Sequence, residues 1–445
     1  MAQTPSHANK GEIGPPALPT FFFIMSSKLS PYAWVCFAMC VGVMGTALAS
    51  PLYPLYQEAW GLQPSHITQI FVAYMLGAML SLLFLGQLTD RWGFVAVLRS
   101  GLILMTLGVL GSAAAWDVWS FGISRVLIGV ASGMITTSAS LGMTRLNNKG
   151  DLQRAAATTS LTIAFGFGLG PVVGGLMAQW APAPLVTAYV PSILLGCMAI
   201  FALFKLQLPP SATMASAGVA AGTSGTATLN GASGSQPYAL NWRSLMPSLI
   251  FPAPQYARHF ALGCMCAFCA FGVFSLYASL APSFMERMLP WHGPAVSGLS
   301  IGVILFLSAA VQLAARQQVT KFVVIAGFAA LALCNLLLLI NTFVGSALLF
   351  SLCVLVTAAG HGLCNLAGMS IVSKVSTPAN RSGLISTYLV IGYVGTIVPI
   401  LGMGWLSDHI GLTRSLVIYC SVMGVLAVWL GFMCARTATL PTPQQ

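Results

Sequence analysis

The stretch Gly86-Gln87-Leu88-Thr89-Asp90-Arg91-Trp92-Gly93 is a short polar turn between two apolar runs, one near 67 to 88 and the other near 97 to 115. Each run approaches the length of about 20 apolar residues that a bilayer-spanning helix requires. A turn this short leaves no room for an aqueous domain, so the two runs read as consecutive membrane spans meeting at one face. Outward from it, runs of similar length recur near 33 to 56, 118 to 142, 155 to 179 and 184 to 204. Six more follow near 259 to 282, 296 to 314, 321 to 341, 344 to 371, 383 to 406 and 414 to 434. Twelve spans predict an all-α membrane protein.

Composition agrees. Of 445 residues, 57% are hydrophobic and 6% charged, against roughly 25% charged in a soluble domain, which excludes a water-soluble globule of this size. The 18 Lys and Arg give a net charge of +11, but they stand singly between apolar stretches, so they read as topology signals and not as a nucleic-acid surface. Eleven cysteines lie in or beside apolar segments, where a thiol behaves as a small hydrophobe. Cys266 and Cys269 form a C-x-x-C without a second ligand pair, the six histidines show no metal-ligand spacing, and no paired carboxylates occur. No metal, cofactor or enzymatic chemistry is therefore expected.

With the amino terminus inside, the cytoplasmic segments collect Lys28, Arg91, Arg99, Arg145, Lys205 and most other basic residues, while the outer loops hold Arg287 and Arg414. Both termini are thus expected in the cytoplasm of a bacterial-type inner membrane. Residues 1–32 read as a disordered tail, with Met25 a second candidate start, and 435–445 as a short tail. From Pro209 to Trp242 no residue is charged and Ala, Gly, Ser and Thr dominate, a composition that cannot bury enough apolar surface to fold. This linker, 206–257, separates a six-helix bundle at 33–205 from another at 258–434. An offset of 228 carries Pro54 onto Pro282, Glu58 onto Glu286, Pro171 onto Pro399 and Gly174 onto Gly402. The halves therefore read as pseudo-symmetric repeats able to give alternating access to a midplane site.

Three motifs make the chain resemble the major facilitator superfamily of transporters from about Trp34 to Cys434, most closely its drug or metabolite:proton antiporters. The first is the opening turn, similar to the family's G-x-L-x-D-R-x-G loop. The resemblance implies a gating latch of Gly86, Asp90, Arg91 and Gly93 that engages the start of the eleventh helix near Arg381 to Gly383. Phe94 and Val95 stand where basic residues usually follow, and Arg99 is the candidate replacement. The second is Arg125-Val126-Leu127-Ile128-Gly129, similar to an R-x-x-x-G element linked to proton transfer through an arginine that perturbs a carboxyl group. Arg125 lies about 12 Å along its helix from Asp117, where a cation is costly; a snorkelling or structurally paired arginine is the other reading. The third, Gly166-Phe167-Gly168-Leu169-Gly170-Pro171-Val172-Val173-Gly174-Gly175, has the G-x-x-x-G-P-x-x-G-G spacing that marks antiporters in the family. Gly166, Gly170, Pro171, Gly174 and Gly175 would pack tightly and bend the fifth helix.

Polar groups inside the spans are few. No acid sits at a helix centre. Pro51 and Pro54 break the first helix, so Tyr53, Tyr56 and Glu58 face the pathway or form an aromatic belt with a solvated carboxylate. His361, with Asn365 four residues on and on the same face, is either a titrating group or a hydrogen-bonded structural one. Gln312, Asn335, Tyr388 and Tyr393 complete the pathway candidates. Proton coupling is expected to fall on Glu58, Arg125 and His361. The reading is a monomeric secondary transporter, with membrane lipid around it, that exports a small neutral or amphipathic molecule in exchange for protons. Uptake by proton symport or uncoupled diffusion is the alternative.

Overall fold

A computed structural model describes residues 30–85, 88–147, 152–205, 249–288, 290, 293–377 and 380–436. Twelve helices among them are long and apolar enough to cross a membrane, and we number these α1 (Pro31–Trp60), α2 (Pro64–Leu85), α3 (Phe94–Ala113), α4 (Val118–Arg145), α5 (Ala155–Trp180), α6 (Pro184–Lys205), α7 (Pro254–Ser279), α8 (Pro294–Ala315), α9 (Thr320–Val344), α10 (Ala347–Val375), α11 (Gly383–Ile410) and α12 (Leu412–Arg436). Each expected apolar run is one of these helices, and no strand occurs among the described residues. The tails and the body of the linker, residues 206–248, lie outside the described residues. Within the expected linker, 206–257, a helical turn at Pro254–Tyr256 opens α7. Ile250 is also pinned to α11 by Thr387 Oγ1, which accepts from its N–H at 3.2 Å and donates to its carbonyl at 3.0 Å.

The helix break in α1 follows from its prolines. A regular helix ends at Ala47, a tight turn spans Ser50–Leu52, and a short helix resumes at Tyr53–Trp60. Pro51 and Pro54 lack the N–H that would continue the ladder. The other half repeats this device: the offset of 228 carries Tyr53–Trp60 residue for residue onto the short helix Ala281–Met288 after α7. Pro171 and Pro399 likewise sit inside α5 and α11. Packing repeats too, with α5 against α1 and α8, and α11 against α7 and α2.

Apolar side chains gain little by leaving lipid for each other, so close backbone packing must hold these helices together. The α5 glycines show how. Gly166, Gly170 and Gly174 abut the carbonyls of Cys40, Met44 and Leu48 on α1, so both helices present every fourth residue. A second stripe on α5 faces the other half: Gly168 meets Phe306 and the Gly302 position, the Pro171 carbonyl meets Gly298, and Gly175 meets the Pro294 carbonyl. Any Cβ at these glycines would strike backbone or a ring, so the seam admits no larger residue.

We call the end carrying Ser30 and Arg436 the terminal end and the opposite one the far end. The α5–α8 seam lies toward the far end, where two hydrogen bonds also join the halves. Ser283 Oγ donates to Gln57 Oε1 at 2.6 Å, and the Ser65 N–H at the start of α2 donates to Asp408 Oδ1 at 3.2 Å. Asp117 caps α4 at the same end by accepting from the Ser120 N–H at 2.8 Å. The Ser120 hydroxyl and N–H hold its carboxyl below the usual range.

Candidate functional site

Between the halves, on the terminal side of the glycine seam, lies a cavity of about 330 Å³. Tyr74 and Met75 of α2 and Ser160, Ile163, Ala164 and Phe167 of α5 form one wall. Phe271 and Phe274 of α7, Leu305, Ser308 and Gln312 of α8, His361 and Asn365 of α10, and Tyr393 and Thr396 of α11 form the other. The lining is aromatic and apolar with a handful of hydroxyls, amides and one imidazole, and it contains no acid or fixed cation.

His361 owes its setting to the glycines beside it. Gly360 lies against Leu331 of α9, while a Cβ on Gly362 would sit 2.6 Å from the Ser308 carbonyl. That close approach of α8 to α10 places Ser308 Oγ 2.8 Å from His361 Nδ1. Asn365, one turn on, sets its amide nitrogen 3.1 Å from Nε2. With Asn365 donating to Nε2, the proton of the neutral ring sits on Nδ1 and Ser308 Oγ accepts it. Gln312 donates to the same Ser308 oxygen at 3.4 Å, and Phe274 lies 5.3 Å from the ring. Tyr393 stands edge-on to Phe271 at 6.3 Å. His361, Asn365, Gln312 and Tyr393 are thus brought together at the cavity.

The amino-terminal half keeps its cation out of the cavity. Arg125 is 1% exposed. Its Nη2 donates to the Thr46 carbonyl at 2.7 Å, and its guanidinium lies 5.1 Å from the centre of the Tyr74 ring. Gly129, one turn along, makes this possible because Tyr74 and Ala78 of α2 press their backbones against it. Tyr53 faces the guanidinium, and Tyr56 reaches the Tyr189 hydroxyl at 2.9 Å beneath Phe121.

Several of the expected residues lie away from this cavity. Tyr53 and Tyr56 are buried inside the amino-terminal half and do not line the cavity. Proline breakage exposes backbone, but the aromatic faces turn inward to cover Arg125. Glu58 is exposed on the short helix beyond the break, away from buried Arg125 in this conformation. Tyr388 lies beneath Gly368 in a separate cluster with Phe260 and Cys264, because five residues from Tyr393 is the wrong phase of α11 for the cavity. Asn335 donates to the Leu331 carbonyl of its own helix at 2.8 Å. Arg99 donates to the Leu203 carbonyl at 3.1 Å and stacks on Phe204, so it closes the end of α6 and does not extend the turn.

Of the latch, Gly86 lies outside the described residues, as do the side chains of Asp90 and Arg91. Gly93 precedes α3 with φ of +80°, a left-handed conformation that favours glycine. Among the described residues no group of three or more His, Cys, Asp or Glu could hold a metal ion. Sequence reasoning missed Tyr74, Phe271, Phe274, Ser308 and Thr396. Ser308 had a signal, since Gln312 lies four residues on along the same face of α8; the aromatics had none, because apolar helices carry them on every face.

A family model described as Major Facilitator Superfamily matches residues 35–317. Among curated proteins, the chain is similar to "Putative multidrug resistance protein MdtD" of Salmonella newport, 25% identical over 170 residues that make up 38% of this chain and 36% of that protein. The Salmonella dublin protein of the same name is 27% identical over 172 residues, again 38% and 36% of the two chains. The chain therefore spans about a third of the length of the curated relatives it matches. In fold it is similar to a bacterial homolog of the human lysosomal transporter Spinster, inward-facing and unoccupied, with a TM-score of 0.69, 13% identity and coverage of 92% and 96%. A mutant of the nucleoside transporter NupG gives 0.67, 15%, 92% and 99%. The inward-open xylose transporter XylE of E. coli gives 0.65, 13%, 94% and 96%.

Proposed function

Because the chain belongs to the Major Facilitator Superfamily, a family of transporters and not enzymes, we propose that it exports a small amphipathic organic molecule in exchange for protons. It is a multi-pass membrane protein; in this reading it acts as a monomer in a bacterial inner membrane with both termini cytoplasmic. Residues 206–253 then serve as a cytoplasmic tether between the halves. The far end is the outer face, so the conformation described is closed outside, with the cavity on the cytoplasmic side of the seam.

The observation that carries this reading is the cavity wall itself. Phe167, Phe271, Phe274 and Met75 offer apolar contact, and His361 with Ser308, Asn365 and Gln312 offers a cluster of titratable and hydrogen-bonding groups on it. An exchanger needs one group that binds a proton in one state and releases it in the other. His361 meets that need. Protonation converts Nε2 from acceptor to donor, so the Asn365 amide must turn its oxygen inward. Substrate in the cavity would compete for the same groups, and rocking of the halves would change their access to water. The MdtD relatives support the export direction by their name alone. Asp90 and its neighbours would then steady the outward-facing state at the cytoplasmic face, and the α5 glycine and proline motif would seal the outer half.

The test is transport in proteoliposomes with an imposed pH gradient, using a panel of dyes, antibiotics and metabolites. Proton-driven movement of any of these should be at least tenfold slower in His361→Ala, while exchange of the same compound without a gradient persists. Accumulation in the direction of proton flow would establish symport instead, and full gradient-driven export by His361→Ala would remove the coupling assignment.

A further inference from the structure

The guanidinium of Arg125 is the deepest cation in the described protein and has no counter-charge. Only Nη2 has a well-aligned hydrogen-bond acceptor; Nε and Nη1 are buried without one, and the facing Tyr53 hydroxyl, also buried, makes no more than a poorly aligned contact with the guanidinium. Glu58 is exposed, and Asp117 and Asp408 sit at the far end capping helix starts. A buried arginine with two free donors is among the least favourable arrangements a membrane protein can hold, and such groups mark ligand or ion paths. A guanidinium with an adjacent phenol can also match a carboxylate: the second proton of Nη2 lies parallel to an N–H of Nε or of Nη1, and the Tyr53 O–H adds a further donor.

The separation between this site and the cavity is one aromatic ring. Tyr74 lines the cavity on one side and lies under the guanidinium at 5.1 Å on the other. We infer that Arg125 and Tyr53 form a buried receptor for an acidic group, closed by Tyr74, and that the cargo is therefore an amphipathic organic acid whose apolar body fills the cavity. This rests on the reading of that cavity as the transport path. It also explains why the half that carries the cation has no acid at the same depth: the counter-charge arrives with the cargo.

Thermal unfolding of the purified full chain in a zwitterionic buffer of low ionic strength tests the site without any transport step. The probes are the matched pairs benzoate with benzamide and 2-naphthoate with 2-naphthamide, and sodium chloride as an inorganic anion. At least one acid should raise the unfolding midpoint where its amide does not. The gain should vanish in Arg125→Gln and require at least tenfold more acid in Arg125→Lys, which keeps the charge but loses the fork. Without any probe, Arg125→Gln should unfold at or above the wild-type midpoint, because an uncompensated buried charge has been removed. Equal effects of acid and amide, stabilisation by neither acid, a gain that survives in Arg125→Gln, or stabilisation by chloride alone would each overturn the proposal. So would a lowered probe-free midpoint in Arg125→Gln, which would make the guanidinium a structural tie to Thr46. A chain that binds naphthoate through Arg125 but fails to export any compound would overturn the transport reading and leave the receptor standing.

Discussion

The repeat-related helices α5 and α11 each carry a proline within them, yet they use their glycines differently. On α5, Gly174 touches the Leu48 carbonyl; on α11, the matching Gly402 meets nothing within 4 Å. The α5–α8 contact is a stripe of backbone against backbone, whereas α2 and α11 meet through Thr68 at Gly404 and the Ser65–Asp408 hydrogen bond. Polar groups differ in the same sense: the first half seals Arg125 behind Tyr74, and the second presents His361 to the cavity. One helical plan thus supports a close-packed glycine seam on one side and a polar, titratable wall on the other. A fold repeat constrains where helices go, and single side chains then decide what each copy does.

The largest effect should come from breaking the first half of that contrast. Gly174→Leu would force the Leu48 backbone away from α5 and should cost about 3 kcal/mol, at the upper end of overpacking penalties. Gly402→Leu has open space and should gain up to about 1 kcal/mol from helix propensity. Unfolding midpoints of the two variants in detergent decide it, and equal destabilisation would mean that the halves pack alike after all.

Next in size is the seam between halves. Gly298→Leu would meet the Pro171 carbonyl, a contact that the proposed opening of the far end would break. Stability should fall less than for Gly174→Leu, because the halves can separate, but turnover should drop at least tenfold, a barrier change of about 1.4 kcal/mol. Cysteine labelling of far-end positions should rise in parallel; unchanged labelling would show that the seam does not gate.

A smaller effect sharpens the sealed side. Tyr56→Phe removes the hydroxyl that meets Tyr189 at 2.9 Å and keeps the ring over Phe121. Leaving one buried phenol with fewer partners should cost about 1 kcal/mol, read as a lowered midpoint with transport close to wild type.

The course of the helices was legible in the sequence because membrane length and proline breaks are local facts: the broken first span follows from Pro51 and Pro54, and the glycine spacing at 166, 170 and 174 foretold close packing. What the spacing withheld was the partner. The same ten residues hold a second stripe, at 168, 171 and 175, whose meaning depends on α8 lying alongside. His361 and Asn365 were legible as a pair because four residues share a helix face. The face of Tyr53 and Tyr56 was not legible, because a proline break changes the phase of a helix and the face they occupy cannot be counted from the residues before it. Tyr74 had no local mark at all; its importance comes from Gly129 on another helix.

The smallest expected effect is at Glu58, where sequence and structure part most clearly. A carboxylate beside a broken first helix, on a helix neighbouring Arg125's, invites an ion pair across the proton path. The chain direction defeats it: after the turn at Ser50–Leu52, the tyrosines at 53 and 56 face inward to Arg125 and Tyr189, and Glu58, two residues past Tyr56, is carried to the exposed side of Tyr53–Trp60. An exposed carboxylate loses little on neutralisation, so Glu58→Gln should change stability by no more than about 0.5 kcal/mol. Gradient-driven transport should stay within about twofold of wild type, while His361→Ala loses it. Measured side by side in the same proteoliposomes, the reverse ranking would return the coupling proton to the amino-terminal half. It would require that Glu58 turn inward when the far end opens, which makes the outward-facing state the place to look for its partner.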